Sequence, residues 1–325
     1  MTFIRNKMYD RGILPSYHSP LKTIIIGNLQ VGGSGKTPLT AFLYGKFSAV
    51  FRTAILSRGY GRKTRGLREA GDYETPATIG DEPLWYKQTL PGVTVVVSEK
   101  RKKGLKYLEN KQAELVLLDD AYQHRAVEGD VYLMLTDYAK PYYKDYPLPA
   151  GRLREYRTSD KRADIIVVTK CPDGLTVQEK VEMIQEINPY DHQWVFFCSV
   201  RPGKPYALKG QADYAGLRYT KIVAMSGIAN PDSFIMLCRQ FNRPVTPLNF
   251  RDHHDYTTDD LKKLESLIDQ NTVVLTTEKD AVKLKEKNLY SVLPSNQVFV
   301  LPIDMHVLFH EEEKFLNAIR EGLNA

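Results

Sequence analysis

An α/β fold built on a mostly parallel sheet is what this sequence predicts, and three observations predict it. The β-branched run Thr23-Ile24-Ile25-Ile26 passes directly into a glycine-rich turn and then a helical pattern. Short apolar runs of strand length recur along the chain, separated by helix-length segments, as in successive βα units. One of these runs, Glu114 to Leu118, ends in paired carboxylates, Asp119-Asp120, where open parallel sheets bind ligands.

The first run sets the chemistry. Gly27-Asn28-Leu29 leads into Gln30, Val31, Gly32, Gly33, Ser34, Gly35, Lys36 and Thr37, with Pro38 opening the helical pattern. Glycines let backbone N–H groups close around phosphate oxygens, and the helix N-terminus adds its positive end. Lys36 is placed to reach the β- and γ-phosphates, and the Thr37 hydroxyl to bind Mg²⁺. A strict P-loop has glycine where this chain has Gln30, but the strand–loop–helix context is that of a P-loop. The loop therefore implies a nucleoside triphosphate and Mg²⁺.

The rest of the composition narrows the class. The chain has 325 residues, 42% apolar and 26% charged, as in an ordinary globular protein, and is long enough for two domains or for one large α/β domain with an appendage. No apolar run is long enough to span a bilayer, and no signal-peptide pattern opens the chain, so a cytoplasmic location is expected. Three widely spaced cysteines, Cys171, Cys198 and Cys238, fit neither a disulfide framework nor a zinc site and read as buried thiols. The net charge of +6 is concentrated in two clusters, Arg58 to Arg68 and Lys100 to Lys106. Such clusters suit phosphate-bearing ligands or anionic headgroups, and equally an ordinary solvated surface. No nucleic-acid signature accompanies them, so a nucleic-acid partner is not expected.

Taken in order, residues 1–20 place Phe3, Ile4, Met8, Ile13 and Leu14 among Arg5, Lys7 and Arg11. That is either a short basic amphipathic segment for a membrane surface or a loosely packed arm. Leu39 to Phe47 is the crossover helix, and Thr53 to Leu56 a second strand. Ser57-Arg58-Gly59-Tyr60-Gly61-Arg62 follows as a loop suited to contact rather than packing. Ile79-Gly80-Asp81-Glu82-Pro83 is a turn with two carboxylates before a helix from about Leu84. Val93 to Val97 is a buried strand. After Asp119-Asp120 come Gln123 and His124, polar groups at the same strand end. The Tyr-, Pro- and Arg-rich stretch Pro141 to Arg157 has no regular period and reads as a functional loop. Asp164 to Lys170 is a strand, and Thr169 to Asp173 only loosely matches a guanine-reading motif, its aspartate one residue late.

Near residue 200 Pro202, Gly203 and Pro205 mark a hinge, and a second βα series begins. It includes Ser226-Gly227-Ile228, Asp252-His253-His254-Asp255, and Thr277-Glu278-Lys279-Asp280, with a last helix from about Glu311 to Leu323. The domains are therefore expected at 1–203 and 204–325. Histidines at a strand–helix junction of the second domain would face the nucleotide across a cleft.

The motif blocks together resemble the tetraacyldisaccharide 4′-kinase family of lipid A biosynthesis. They are Gly27-Asn28 with Gly32 to Pro38; Arg58-Gly59-Tyr60-Gly61; Gly80-Asp81-Glu82-Pro83; and Asp119-Asp120 with Gln123-His124. Pro149-Ala150-Gly151 with Arg154-Glu155, Gly227-Ile228 with Pro231, Asp252-His253 and Thr277 to Asp280 complete the set, in family order from about residue 22 to residue 284. The resemblance implies two α/β/α domains with the active site between them, and transfer of the ATP γ-phosphate to the 4′-hydroxyl of tetraacyldisaccharide 1-phosphate, forming lipid IV-A. It implies a lipid substrate and a peripheral position at the cytoplasmic face of the inner membrane; a monomer is expected. It makes Asp81 and His253 a dyad that orients and deprotonates the sugar hydroxyl. Thr37, Asp119, Asp120, Gln123 and Glu155 would hold or orient Mg²⁺, and Arg58, Tyr60, Arg101 and His124 would meet the acceptor or the transferred phosphate. Family members usually begin with a longer apolar segment, whereas here about twenty residues precede the first strand, so the basic clusters are expected to supply part of any contact with an anionic membrane surface.

A rival from another class is a P-loop GTPase that switches or delivers metal. It would need cysteine or histidine ligands near the P-loop, and the sequence has none there.

Overall fold

The computed structural model describes residues 2–228, 230–252, 254–286, 289, 293–294 and 296–324; the Phe3 side chain and His253 lie outside what is described. The chain divides into two compact units, 1–200 with 305–325, and 201–304.

The first unit opens with α1 (Thr2–Asp10) and a two-residue strand β1 (Tyr17–His18). Then follow β2 (Lys22–Asn28), α2 (Lys36–Phe47), β3 (Thr53–Ser57), β4 (Arg68–Glu69), α3 (Pro76–Ile79), α4 (Asp81–Thr89), β5 (Thr94–Val97) and α5 (Arg101–Asn110). After these come β6 (Leu115–Leu118), β7 (Val127–Glu128), β8 (Val131–Asp137), β9 (Ile165–Thr169), α6 (Val177–Ile187) and β10 (Trp194–Pro202). β16 (Ile303–Val307) carries the chain back from the second unit, and α10 (Glu312–Asn324) completes the first. The large sheet has nine strands in the order β16-β10-β9-β8-β2-β6-β3-β5-β4. From β10 to β5 every neighbouring pair is parallel, and the short β4 runs antiparallel to β5 at the edge.

β2 lies in the middle of this sheet. Ile24, Ile25 and Ile26 are consecutive and all buried, which requires both faces of the sheet to be covered. On one face Ile25, Leu56, Val116 and Val168 pack with Leu105 and Leu108 of α5 and Met183 and Ile187 of α6. α2 buries Leu39, Thr40, Leu43, Tyr44 and Phe47, a helical stripe, while its Phe42 stacks on Phe315 of α10 with ring centroids 6.4 Å apart. Each such aliphatic or aromatic side chain contributes roughly 1.5–3 kcal/mol on burial.

The position of α10 corrects the expected boundary of the second domain. Residues 305–325 belong to the first unit because Phe315 also packs on Phe196 of β10 at 5.0 Å, and Gly322 lies against Val131 of β8. An amphipathic terminal helix read from sequence carries no label saying which sheet it covers.

The second unit holds β11 (Tyr206–Ala207), β12 (Lys221–Ser226), α7 (Pro231–Arg239), β13 (Val245–Asn249), α8 (Thr258–Glu265), β14 (Thr272–Thr277), α9 (Glu278–Glu286) and β15 (Val298–Leu301). Its sheet order is β11-β15-β14-β12-β13, parallel except for β11. Alternation along the strands separates two cores. Val223, Met225, Val274 and Val300 face Leu261 and Leu264 of α8 and Leu284 of α9. Ile222, Ala224, Leu275 and Phe299 face Phe234, Ile235 and Cys238 of α7. This unit is an α/β/α sandwich. The three cysteines are buried and unpaired.

Candidate active site

The chain leaves β2 for α2 and returns in β3, but β6 is inserted between β2 and β3. That crossover brings the carboxyl end of β6 beside the glycine-rich loop. Gly35, with φ of 84°, caps α2, so Lys36 and Thr37 are its first residues. Lys36 Nζ donates to Asn28 Oδ1 at 3.1 Å and stands 3.4 Å from Asp120 Oδ1. Asp120 also accepts from Arg154 Nη1, 3.2 Å to each oxygen. Burial acts to raise the Asp120 carboxyl, but Lys36 and Arg154 outweigh it and hold it below the usual carboxylate range.

Asp119, fully buried, behaves in the opposite way. Neither of its carboxylate oxygens has a hydrogen-bond partner. Burial, then the nearby Glu82 and Asp120 charges, push its carboxyl up to about 7 against the pull of Lys36 and Arg101. A buried carboxyl without donors around it favours its protonated form unless a positive charge compensates it.

Glu82 is the residue that sequence reasoning left without a role. α4 starts at Asp81, three residues before the expected helix, so both carboxylates lie in its first turn. Thr37 Oγ1 donates to Glu82 Oε1 at 3.0 Å. The visible signal was the adjacency of Glu82 to Asp81. The turn before α4 is fixed by backbone contact: Gly80 has φ of 94°, and a Cβ there would stand 2.7 Å from the Tyr60 carbonyl oxygen. Gly80, just before α4, thus packs against the Gly59–Tyr60 backbone. Asp81 is half-buried.

The other expected residues sort into distinct environments. Gln123 Nε2 donates to the Asn28 carbonyl at 2.7 Å, tying the segment after β6 to β2. Glu155 is buried and pairs with Arg162, with Arg5 of α1 3.7 Å away. Its Oε2 accepts from Arg162, while its buried Oε1 has no hydrogen-bond partner. Among the described residues no cluster of three or more histidine, cysteine or carboxylate side chains forms a ready-made metal cage.

Arg101 is 1% exposed; its Nη1 donates to Ser98 O at 2.7 Å and Nη2 to Asp119 O at 3.1 Å. It ties together the ends of β5 and β6 rather than presenting itself to solvent. Burial lowers its pKa to about 10, with Asp119 and Asp120 opposing. His124 is pushed down to about 4 by burial and then by the Arg101, Arg58 and Arg5 charges, so its imidazole is neutral at physiological pH. Arg58 is exposed and Tyr60 is 75% exposed. Thr169 donates to the Ser34 carbonyl at 2.8 Å, bracing the glycine-rich loop, and Lys170 pairs with Asp137 at 2.8 Å. The loose guanine-reading match is thus accounted for by loop support and an ion pair.

In the second unit the motif blocks meet one another. Asp280 Oδ2 accepts from Gly227 N at 3.0 Å and Thr277 Oγ1 at 2.6 Å. His254 stacks on Phe250 with centroids 4.6 Å apart and shares a 2.9 Å hydrogen bond with Asp260, which caps α8 with Thr257. His253, the expected dyad partner of Asp81, lies outside the described residues.

A family model described as tetraacyldisaccharide-1-P 4′-kinase matches residues 1–324. The chain is 36% identical to a protein of Flavobacterium johnsoniae named tetraacyldisaccharide 4′-kinase, covering 99% of this chain and 94% of that protein. It is 33% identical to one of the same name from Phocaeicola vulgatus, covering 98% and 90%. Among solved structures it is similar to LpxK from Aquifex aeolicus, described as an "apo" form in complex with ATP, at 29% identity and a TM-score of 0.76, covering 99% of this chain and 95% of that one.

Proposed function

The chain belongs to the tetraacyldisaccharide-1-P 4′-kinase family, and we propose that its reaction runs at the carboxyl edge of the nine-stranded sheet, on Lys36, Thr37, Asp119 and Asp120. It is an ATP-dependent kinase that phosphorylates the 4′-hydroxyl of tetraacyldisaccharide 1-phosphate in lipid A biosynthesis.

The observation that carries the site is Asp119, buried with both oxygens unpartnered beside the Thr37–Glu82 pair. Those groups, with Asp120, fit Mg²⁺ and would hold it. When bound, Mg²⁺ neutralises charge on the β- and γ-phosphate oxygens. The residues do the positioning. Lys36, held ready by Asn28 and Asp120, supplies a positive charge to the transferring phosphoryl group. The backbone from Gln30 to Thr37 cradles the phosphates. Asp81 and His253 serve the 4′-hydroxyl, His253 as the group that takes its proton and Asp81 as a carboxylate that supports that transfer. Arg58, Tyr60 and His124 meet the acceptor or the transferred phosphate, while Arg101 and Gln123 keep the strand ends in place and Glu155 pairs with Arg162.

Among the described residues no helix is long and apolar enough to cross a membrane. α1 exposes Ile4 among basic residues, which supports a peripheral attachment at the cytoplasmic face of the inner membrane. The protein acts as a monomer, with residues 201–304 as its second domain. Transfer of labelled γ-phosphate from ATP to the disaccharide 1-phosphate, with Mg²⁺ present and then chelated, tests the metal: product in both arms removes it. Co-sedimentation with anionic vesicles at low and high salt tests attachment, and no binding at either removes it.

A further inference from the structure

Gln30 stands where a strict P-loop has glycine, and its side chain is 4% exposed. Its amide Nε2 donates to Lys140 O at 3.0 Å and to Asp145 Oδ2 at 2.9 Å. Asp145 is therefore bonded directly to the nucleotide loop from the irregular segment after β8.

The same carboxylate organises that segment. Asp145 Oδ2 also accepts from Arg152 Nε at 2.9 Å, and Oδ1 accepts from the backbone N–H groups of Tyr146 at 2.9 Å and Arg152 at 3.1 Å. Gly151 is needed for this closeness, since a Cβ there would stand 2.5 Å from Asp145 Oδ1. Two backbone bonds then run between the segments: Val31 N to Arg152 O at 2.8 Å, and Arg154 N to Leu29 O at 2.7 Å. Burial acts to raise the Asp145 carboxyl, but Gln30 and the two backbone donors hold it below its ordinary range, so the latch is ionised at neutral pH.

Arg154, two residues beyond Arg152, grips Asp120, and Lys36, six residues beyond Gln30, stands beside the same carboxylate. The two arms leaving the Gln30–Asp145 bond thus meet again at Asp120. We propose that Asp145 is a positioning residue for phosphoryl transfer, latched through Gln30 so that the nucleotide loop and the Arg154 loop are held in one register at Asp120. This rests on the reading of Lys36 and Asp120 as phosphate-side groups. A loop anchor with a merely structural role would affect melting and leave turnover of the folded enzyme alone.

A polarity swap separates the two. Asp145→Asn sets an amide donor against the Gln30 and Arg152 donors, and Gln30→Glu sets a carboxylate against Asp145. The double variant restores a donor facing an acceptor between residues 30 and 145, with direction reversed, but leaves the Lys140 carbonyl and the Arg152 donor unmatched. The latch predicts kcat at saturating ATP and acceptor down by about tenfold or more in each single variant, with part of the loss recovered in the double. Gln30→Ala cuts the link while leaving the other Asp145 bonds in place, so it reports on the latch even where Asp145→Asn folds poorly; assayed as folded protein it should show the same loss of kcat, beside the modest drop in melting temperature that two lost buried bonds bring. Wild-type kcat in folded Gln30→Ala, or a double variant no better than the worse single, overturns the latch. Lys36→Ala assayed alongside separates the two readings: full turnover there fails the site assignment, whereas loss there with wild-type turnover in Gln30→Ala fails only the latch.

Discussion

The Thr37 hydroxyl donates to the Glu82 carboxylate at 3.0 Å, joining the first turn of α2 to the first turn of α4. Two helix N-termini therefore converge where anions are favoured, and a carboxylate from one reaches the hydroxyl that follows the P-loop lysine. Glu82→Gln keeps an oxygen to accept that bond but removes the charge. The Mg²⁺ concentration for half-maximal activity should rise about 10- to 100-fold. A Mg²⁺ titration unchanged from wild type would remove Glu82 from the metal side.

Asp119 makes the stability of the unliganded protein depend on pH. In the folded chain it keeps its proton up to about 7, raised first by burial and then by Glu82 and Asp120. In the unfolded chain it loses the proton near 4, as an ordinary aspartate does. Between those values the folded state binds more protons, so this group's contribution to stability falls as pH rises through the window. Asp119→Asn should therefore raise the melting temperature of metal-free protein more at pH 8 than at pH 5. An equal shift at both pH values would contradict the raised carboxyl.

Arg101→Lys tests whether the buried guanidinium is a tie between strand ends. A lysine cannot reproduce the fork onto Ser98 O and Asp119 O. The loss should be about 1–3 kcal/mol in urea unfolding. A KM for the lipid acceptor raised many-fold with stability unchanged would instead return Arg101 to the substrate.

The two adjacent histidines should separate by phenotype. His253→Ala should lower kcat far more than it raises KM for ATP. His254→Ala removes the stack on Phe250 and the bond to Asp260, so it should cost stability, about 1–2 kcal/mol, with turnover of the folded enzyme retained. Wild-type turnover in His253→Ala would remove it from the dyad.

What could be read in the sequence was what is local. Strand, glycine-rich turn, Lys36 and Thr37 are contiguous, so the cradle was legible, as was the Asp119-Asp120 strand end. What was not legible depends on elements meeting. Nothing near Glu82 in the chain announces Thr37, 45 residues away. Arg101 sits in a basic run that reads as phosphate-binding or solvated surface, yet its neighbours in space are the buried ends of two strands. The return of α10 to the first unit depends on Phe315 finding Phe42 and Phe196. The departure at Gln30 is legible in the sequence, but the bond from its amide to Asp145, 115 residues away, is not.

The most direct test is transfer of labelled γ-phosphate from ATP to tetraacyldisaccharide 1-phosphate by Lys36→Ala beside wild type. Removing the positive charge from the transferring group should lower kcat by about a hundredfold or more, with the melting temperature near that of wild type because Arg154 still holds Asp120. Turnover of Lys36→Ala equal to wild type would contradict the assignment of the site.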